Sequence, residues 1–230
     1  MKVALVFSGR LTSCEEHYKN ILCNFGFQNS YEVFLGMSCE PCNDELFHKF
    51  IELYHPKKII ESDGKIAEPL CGWDNIKGNE FTKSTIKQPA FMWYNRHIIF
   101  EEVKNYLKTN FDLVVSLRCD VKYEETLNLD ELSVLNDNTI YIPKGADYGG
   151  YQDKIAMGTP LAMEKYFNLY SNLNNLVSPT KSMNPEPLLK RHLKQQKVNV
   201  VRINLKHQIY PKVSQKEKLK KYTNLSLHNQ

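Results

Sequence analysis

The 230 residues, 42% hydrophobic and 24% charged with 10 Gly and 10 Pro, have the composition of an ordinary globular chain, which excludes disordered, collagen-like and coiled-coil classes and suits one large domain. The net charge of +4 is local: residues 206–230 hold six Lys against one Glu and leave the rest of the chain at −1. A body so nearly neutral lacks the basic stripe of a nucleic-acid binder, so no nucleic-acid partner is expected.

The first element is a continuous apolar run, Lys2 to Phe7, whose unbroken hydrophobicity reads as a strand buried on both faces of an α/β sheet. It stops at Ser8-Gly9-Arg10, too soon for the apolar region of a secretory leader, so a cytoplasmic location is expected, the host cytoplasm for a viral chain. A helix follows from about Thr12 to Asn24, then a strand at Tyr31 to Met37. A helix at Asp44 to Tyr54 carries Leu46, Phe47, Phe50 and Leu53 on one face, and a short strand spans Lys57 to Ile60. Residues 62 to 87 have no period and read as a long loop, the kind that is usually functional. Pro89 to about Lys108 is a helix with a buried stripe through Trp93, Ile98 or Ile99, Val103 and Leu107, feeding a strand at Phe111 to Leu117. The remainder reads as a strand at Thr139 to Ile142 and a Gly-rich loop at Gly145 to Gly150. Then come a helix opened by Thr159-Pro160, a helix at Glu186 to Gln196 and a strand at Val198 to Ile203. Strands alternating with helices predict an α/β fold, a mostly parallel central sheet with helices on both faces. The domain is expected over 1–205, with 206–230 as a Lys-rich extension capable of weak peripheral contact with an anionic membrane. No run approaches the roughly 20 apolar residues of a transmembrane segment.

Ligands of open α/β sheets bind at the carboxyl ends of strands, and three strand ends carry chemistry. Ser8-Gly9-Arg10 offers backbone N–H groups and a guanidinium fork suited to phosphate. Arg118-Cys119-Asp120 places a cation and a carboxylate at the rim of the sheet; Asp120 suits a hard divalent cation and Arg118 an anion, while a salt bridge capping the strand end is the alternative. Cys39-Glu40-Pro41-Cys42 sits between a strand and a helix, as in thioredoxin-like oxidoreductases. That rival leaves residues 110–205 without a role, and six cysteines in all are too few for a disulfide scaffold.

The order ALVFSGRL, YEVFLGM, QPAFMWYNRHIIFEEV, FDLVVSLRCDV, GGYQDKIAMGTPLAMEKY and NPEPLLKRHLKQQKVNVVRI resembles small GT-A-type glycosyltransferases. These occur in bacterial surface-polysaccharide clusters and in large DNA viruses, including the N-terminal domain of the chlorovirus capsid-glycosylating enzyme. The resemblance covers roughly residues 1–205. It implies a single nucleotide-diphospho-sugar transferase domain with a nucleotide-sugar donor, UDP being the expected nucleotide, and a glycan or glycoprotein acceptor. It also implies nucleotide contacts from Ser8, Gly9 and Arg10, with Arg96 turned toward the same crevice. Where the family carries a D-x-D motif holding Mn²⁺, or Mg²⁺, this chain reads Arg118-Cys119-Asp120, so Asp120 is the one metal carboxylate kept.

Inverting transfer needs a carboxylate to take the acceptor's proton. Asp153, in the stretch from Gly149 to Lys154 read as a loop and helix start, is the expected base, with Asp147 second and a helix N-cap as the structural alternative. Glu186 is a candidate for a sugar hydroxyl and His207 for a metal nitrogen. A non-catalytic nucleotide- or sugar-binding module is the further alternative.

Overall fold

Every position of β1 (Val3–Ser8) is buried because the strand is enclosed on both edges and both faces. On its edges it pairs in parallel with β2 (Tyr31–Ser38) and β4 (Leu113–Arg118). On its faces it feeds two cores in alternation. Ala4 and Val6 pack with Val114, Ile140 and Ala156, whereas Val3, Leu5 and Phe7 pack with Val115, Leu117 and Met157. The same division runs across the sheet and explains its unbroken apolar strands.

The computed structural model describes residues 1–9, 11, 14–25, 31–38, 44–62, 87–127, 129, 132, 135–177 and 184–209. Besides β1, β2 and β4 it contains β3 (Lys58–Ser62), β5 (Val121–Tyr123), β6 (Thr139–Pro143), β7 (Ile155–Gly158), β8 (Asn199–Ile203) and β9 (His207–Ile209). A seven-stranded sheet runs in the order β3-β2-β1-β4-β7-β6-β8, and β5 with β9 forms a separate two-stranded sheet. All pairings in the large sheet are parallel except those of β7, which is antiparallel to both β4 and β6.

Helices cover both faces, as expected from the alternation of elements. On one face α1 (Cys14–Phe25) and α2 (Asp44–Tyr54) contribute Ile21, Phe25, Phe50 and Tyr54. On the other, α3 (Lys87–Asn110), α4 (Pro160–Phe167) and α6 (Pro185–Gln195) contribute Trp93, Phe100, Phe167 and Leu188, while the short α5 (Leu173–Leu176) closes the edge. Phe100 stacks on Phe167 with ring centroids 4.7 Å apart, and Trp93 meets Tyr166 edge-on at 5.4 Å. The opening of α4 is as its sequence signals: Thr159 caps it, accepting from the Ala162 backbone N–H, and Pro160 occupies the first turn. No helix among the described residues is long and apolar enough to cross a membrane.

Two features depart from the sequence reading. No helix begins near Gln152 to Lys154: these residues lead instead into β7, a four-residue strand buried at every position. Its short apolar run has no period of its own to distinguish it from a helix start. Pairing also continues past residue 205, because β9 joins β5 through Tyr123 and His207. The stretch 63–86 and the Lys-rich residues from 210 onward lie outside the described residues.

The loop before β7 is seated against the start of α6. A Cβ at Gly150 would come within 1.9 Å of the Glu186 backbone, whereas one at Gly149 would meet nothing but would require φ of +86°. Gly150→Ala should therefore cost about 3 kcal/mol through overpacking, and Gly149→Ala about 1 kcal/mol through backbone strain. Urea denaturation of the two variants checks the ranking; equal losses would mean that the loop is not seated on α6.

Candidate functional site

The chain leaves β1 toward β2 on one side and returns to β4 on the other. The carboxyl ends of β1 and β4 therefore form the topological switch point where open α/β sheets bind ligands. Register places Ser8 directly opposite Arg118 there. Because β7 runs antiparallel, the residues that precede it arrive at this same edge, and the Arg118 backbone N–H donates to the Lys154 carbonyl. Sequence-distant Ser8, Arg96, Arg118, Asp153 and Lys154 are thereby brought together.

Arg96 enters from α3. It lies three residues after Trp93, inside the apolar stripe, and is 1% exposed. Its Nε donates to Ser8 Oγ at 3.2 Å, and its Nη2 donates to the Asp153 carbonyl at 2.8 Å and to Asp153 Oδ2 at 3.3 Å. The guanidinium lies 4.6 Å over the Trp93 ring, and Nη1 has no hydrogen-bond partner among the described residues. Arg118 Nη1 reaches Asp153 Oδ2 at 3.6 Å from the other side. Asp153, 2% exposed, is thus clasped between two guanidinium groups. Burial works to raise its pKa, and Arg96, Arg118 and Lys154 more than offset it, so the carboxyl sits below the ordinary aspartate range. A carboxylate so held is a weak proton acceptor; its geometry suits holding Arg96 and Arg118 in place. It is not a helix N-cap either, since no helix starts beside it.

Arg118 also closes on Asp120 in a bidentate pair, with Nε to Oδ1 at 2.8 Å and Nη2 to Oδ2 at 2.7 Å. Burial opposes its charge, but Asp120 and Asp153 hold the guanidinium ionised. Behind the pair, His17 on α1 places Nε2 3.2 Å from the Arg118 carbonyl and Nδ1 2.7 Å from the Tyr54 hydroxyl. Burial lowers the His17 pKa to about 4, with the Arg118 carbonyl and Asp120 opposing.

Lys154 is 6% exposed, and its Nζ has no hydrogen-bond partner among the described residues. Burial lowers its pKa against the pull of Asp153 and Glu186. Its backbone is fixed by the fully buried Gln152, whose side chain accepts from the Lys154 N–H and donates to the Ile155 carbonyl. Asp147 is engaged elsewhere, accepting from the Gln152 N–H at 3.1 Å and from Arg202 Nη2 at 2.8 Å, which pins the Gly-rich loop to β8. Glu186, in the first turn of α6, is buried; desolvation raises its pKa despite Lys154 and Arg118. His207 has Nδ1 2.9 Å from the Leu205 carbonyl, so that nitrogen carries the proton and Nε2 keeps a buried lone pair with no partner among the described residues. Burial lowers its pKa, and its electrostatic neighbours include Lys154, Asp147 and Asp153.

The residues present do not fit a resident divalent cation. Both Asp120 oxygens accept from Arg118, the second carboxylate is held between Arg96 and Arg118, and the described residues contain no group of three or more His, Cys, Asp or Glu placed to hold a metal. The Arg-x-Asp motif is instead the salt bridge that caps the strand end. Gly9, at φ +108°, turns the chain after Ser8, while Arg10, Cys39 and Cys42 lie outside the described residues. Lys154 and His17 are the site residues that sequence reasoning did not single out. Lys154 was legible as a lysine directly before an apolar run, and His17 had no distinguishing signal. Comparison with models of known protein families and with curated proteins finds no match for this chain.

Two outcomes follow from this geometry. Asp153→Ala should cost about 3–5 kcal/mol in urea denaturation, because it leaves the buried Arg96 guanidinium without its anion and beside a second cation, the partly exposed Arg118; a loss under 1 kcal/mol would mean that the cluster is not a structural pin. The folded-state pKa of His17 lies below the ordinary 6.5, so its stabilisation is complete above that pH and is lost as pH falls toward 4, to the extent of about 3 kcal/mol. His17→Gln should remove that part of the decline between pH 7 and 4, leaving the smaller parts of His97, His192 and His207, whose pKa values burial also lowers. An unchanged decline would contradict the assignment.

Proposed function

We propose that the chain is a nucleotide-sugar-dependent glycosyltransferase of GT-A type, taking a sugar from a nucleoside diphosphate, UDP in the first instance, to a glycan or glycoprotein acceptor. The observation that carries the reading is the cluster at the switch point: Arg96, Arg118 and Lys154 gather beside the Ser8-Gly9 turn, the two arginines held by Asp153 and Asp120 and the Lys154 ammonium without a hydrogen-bond partner among the described residues. Three motifs of the resemblance, Ser8-Gly9, Arg118-Asp120 and Asp153-Lys154, meet at this one edge of the sheet.

The loop over the edge supports an acceptor side. Tyr148 is 71% exposed and held at φ +41°, next to Ala146 at +52°. Left-handed backbone at a bulky residue is a strain that folds retain mostly at functional positions. An exposed ring there offers the flat apolar surface on which a sugar face packs.

In the reaction, the bond between sugar C1 and the diphosphate oxygen breaks with its electron pair leaving on the diphosphate. The acceptor hydroxyl oxygen bonds to C1 and gives up its proton. Arginine and lysine around the leaving group stabilise the charge it gains. For transfer with inversion, the proton passes to Glu186 or to the free Nε2 of His207 rather than to Asp153, whose oxygens are committed to arginines.

Thermal denaturation with UDP, GDP, uridine and UDP-sugars tests the reading. A nucleoside diphosphate at a hundred times its Kd should stabilise the fold by about 2.7 kcal/mol, and one UDP-sugar should release UDP in the presence of an acceptor glycan. Indifference to every nucleotide at millimolar concentration would contradict it.

A further inference from the structure

Among the described residues, the ammonium of Lys154 is taken out of water without receiving an acceptor. Buried charges are normally paired, and an unpaired one in a native fold calls for an explanation. Here the described side chains around it leave room for an anion. Asp153 and Asp120, the nearest carboxylates with defined partners, bond to arginines and not to Lys154. Glu186 is close enough to act on Lys154 electrostatically but makes no hydrogen bond to it. Gln152 accepts from the Lys154 N–H and donates to the Ile155 carbonyl, and the Lys154 carbonyl accepts from the Arg118 N–H, so the Lys154 backbone is fixed at the carboxyl end of β4. Beside it, Arg118 is partly exposed, which opens the cluster to solvent.

From this geometry we infer that Lys154, with Arg118 beside it, is a binding site for a diphosphate group, and that it neutralises that group without a resident divalent cation. The inference rests on the transferase reading for the identity of the diphosphate as part of a nucleotide-sugar, and on the structure alone for its charge. Lys154 supplies a compact positive charge with three donors, and Arg118 supplies a guanidinium that remains ionised at any working pH and, beside its bidentate bond to Asp120, keeps further N–H groups on Nη1 and Nη2. Together they stand where a metal ion would otherwise offset the charge growing on the leaving diphosphate. The same arrangement explains why Asp120 bonds to Arg118: the carboxylate orients the guanidinium instead of presenting oxygens to a cation.

The test is calorimetric titration of the full chain with inorganic pyrophosphate, UDP and uridine, each in EDTA and in Mn²⁺, for the wild type and Lys154→Met. Pyrophosphate and UDP should bind the wild type equally well in EDTA and in Mn²⁺. Lys154→Met should weaken both by about 10- to 100-fold, the loss expected for a hydrogen bond to a charged group, and leave uridine unchanged. Without ligand, Lys154→Met should melt above the wild type, since methionine removes an uncompensated buried charge at similar volume. UDP binding that requires Mn²⁺ would overturn the site while leaving the transferase reading intact. Pyrophosphate binding in EDTA with no nucleotide binding would support the site and remove the transferase reading. Unchanged pyrophosphate affinity in Lys154→Met, or a variant that melts below the wild type, would show that Lys154 is structural and overturn the proposal. Should the variant fail to fold, the wild-type titrations in EDTA and Mn²⁺ decide by themselves.

Discussion

The buried carboxylate of Asp153, held between Arg96 and Arg118, is the interaction on which the functional end of the molecule depends. It joins the long helix α3, the central strand β4 that follows it and the distant segment entering β7. A buried guanidinium, Arg96, and a partly exposed one, Arg118, repel each other unless a negative charge stands between them. With Asp153 present, Arg96 is free to bond Ser8 at the end of β1, and Arg118 turns its remaining nitrogens to Asp120. Charge balance in the interior and the shape of the strand-end crevice are therefore one constraint.

Sheet topology makes this possible. In a wholly parallel sheet, residues preceding a strand lie at the edge opposite the ligand crevice. Reversal of β7 brings Gln152, Asp153 and Lys154 to the carboxyl end of β4. The Gly-rich loop that precedes them is anchored by the Asp147–Arg202 ion pair and by Gly150 packed on the start of α6. The β5–β9 pair adds His207 from the far end of the described chain. A single antiparallel strand thus adds to the switch point both the carboxylate that holds the two arginines and a lysine unpaired among the described residues.

Much of this architecture is legible in the sequence, because burial on both faces leaves a signature. The runs that became β1 and β4 read as buried strands and that of β6 as a strand, and the stripe through Trp93, Ile98 or Ile99, Val103 and Leu107 located α3 within two residues at each end. Arg96 was legible in principle as a charge inside that stripe. The pairing of groups far apart in the chain was not. Nothing local distinguishes an Asp120 that binds a cation from one that binds Arg118 two residues before it. Nothing local says that Asp153 faces two arginines rather than an acceptor hydroxyl. The second depends on the antiparallel course of β7, and four apolar residues ending in glycine do not announce a strand direction.

A crystal structure of the chain grown with UDP tests the account most directly. The account predicts the diphosphate at the carboxyl ends of β1 and β4, with phosphate oxygens within hydrogen-bond distance of Lys154 Nζ and Arg118, and the Arg96–Asp153 pair unchanged. Nucleotide bound away from this edge, or a diphosphate at the edge held by a metal ion on Asp120 with Arg118 displaced, would contradict it.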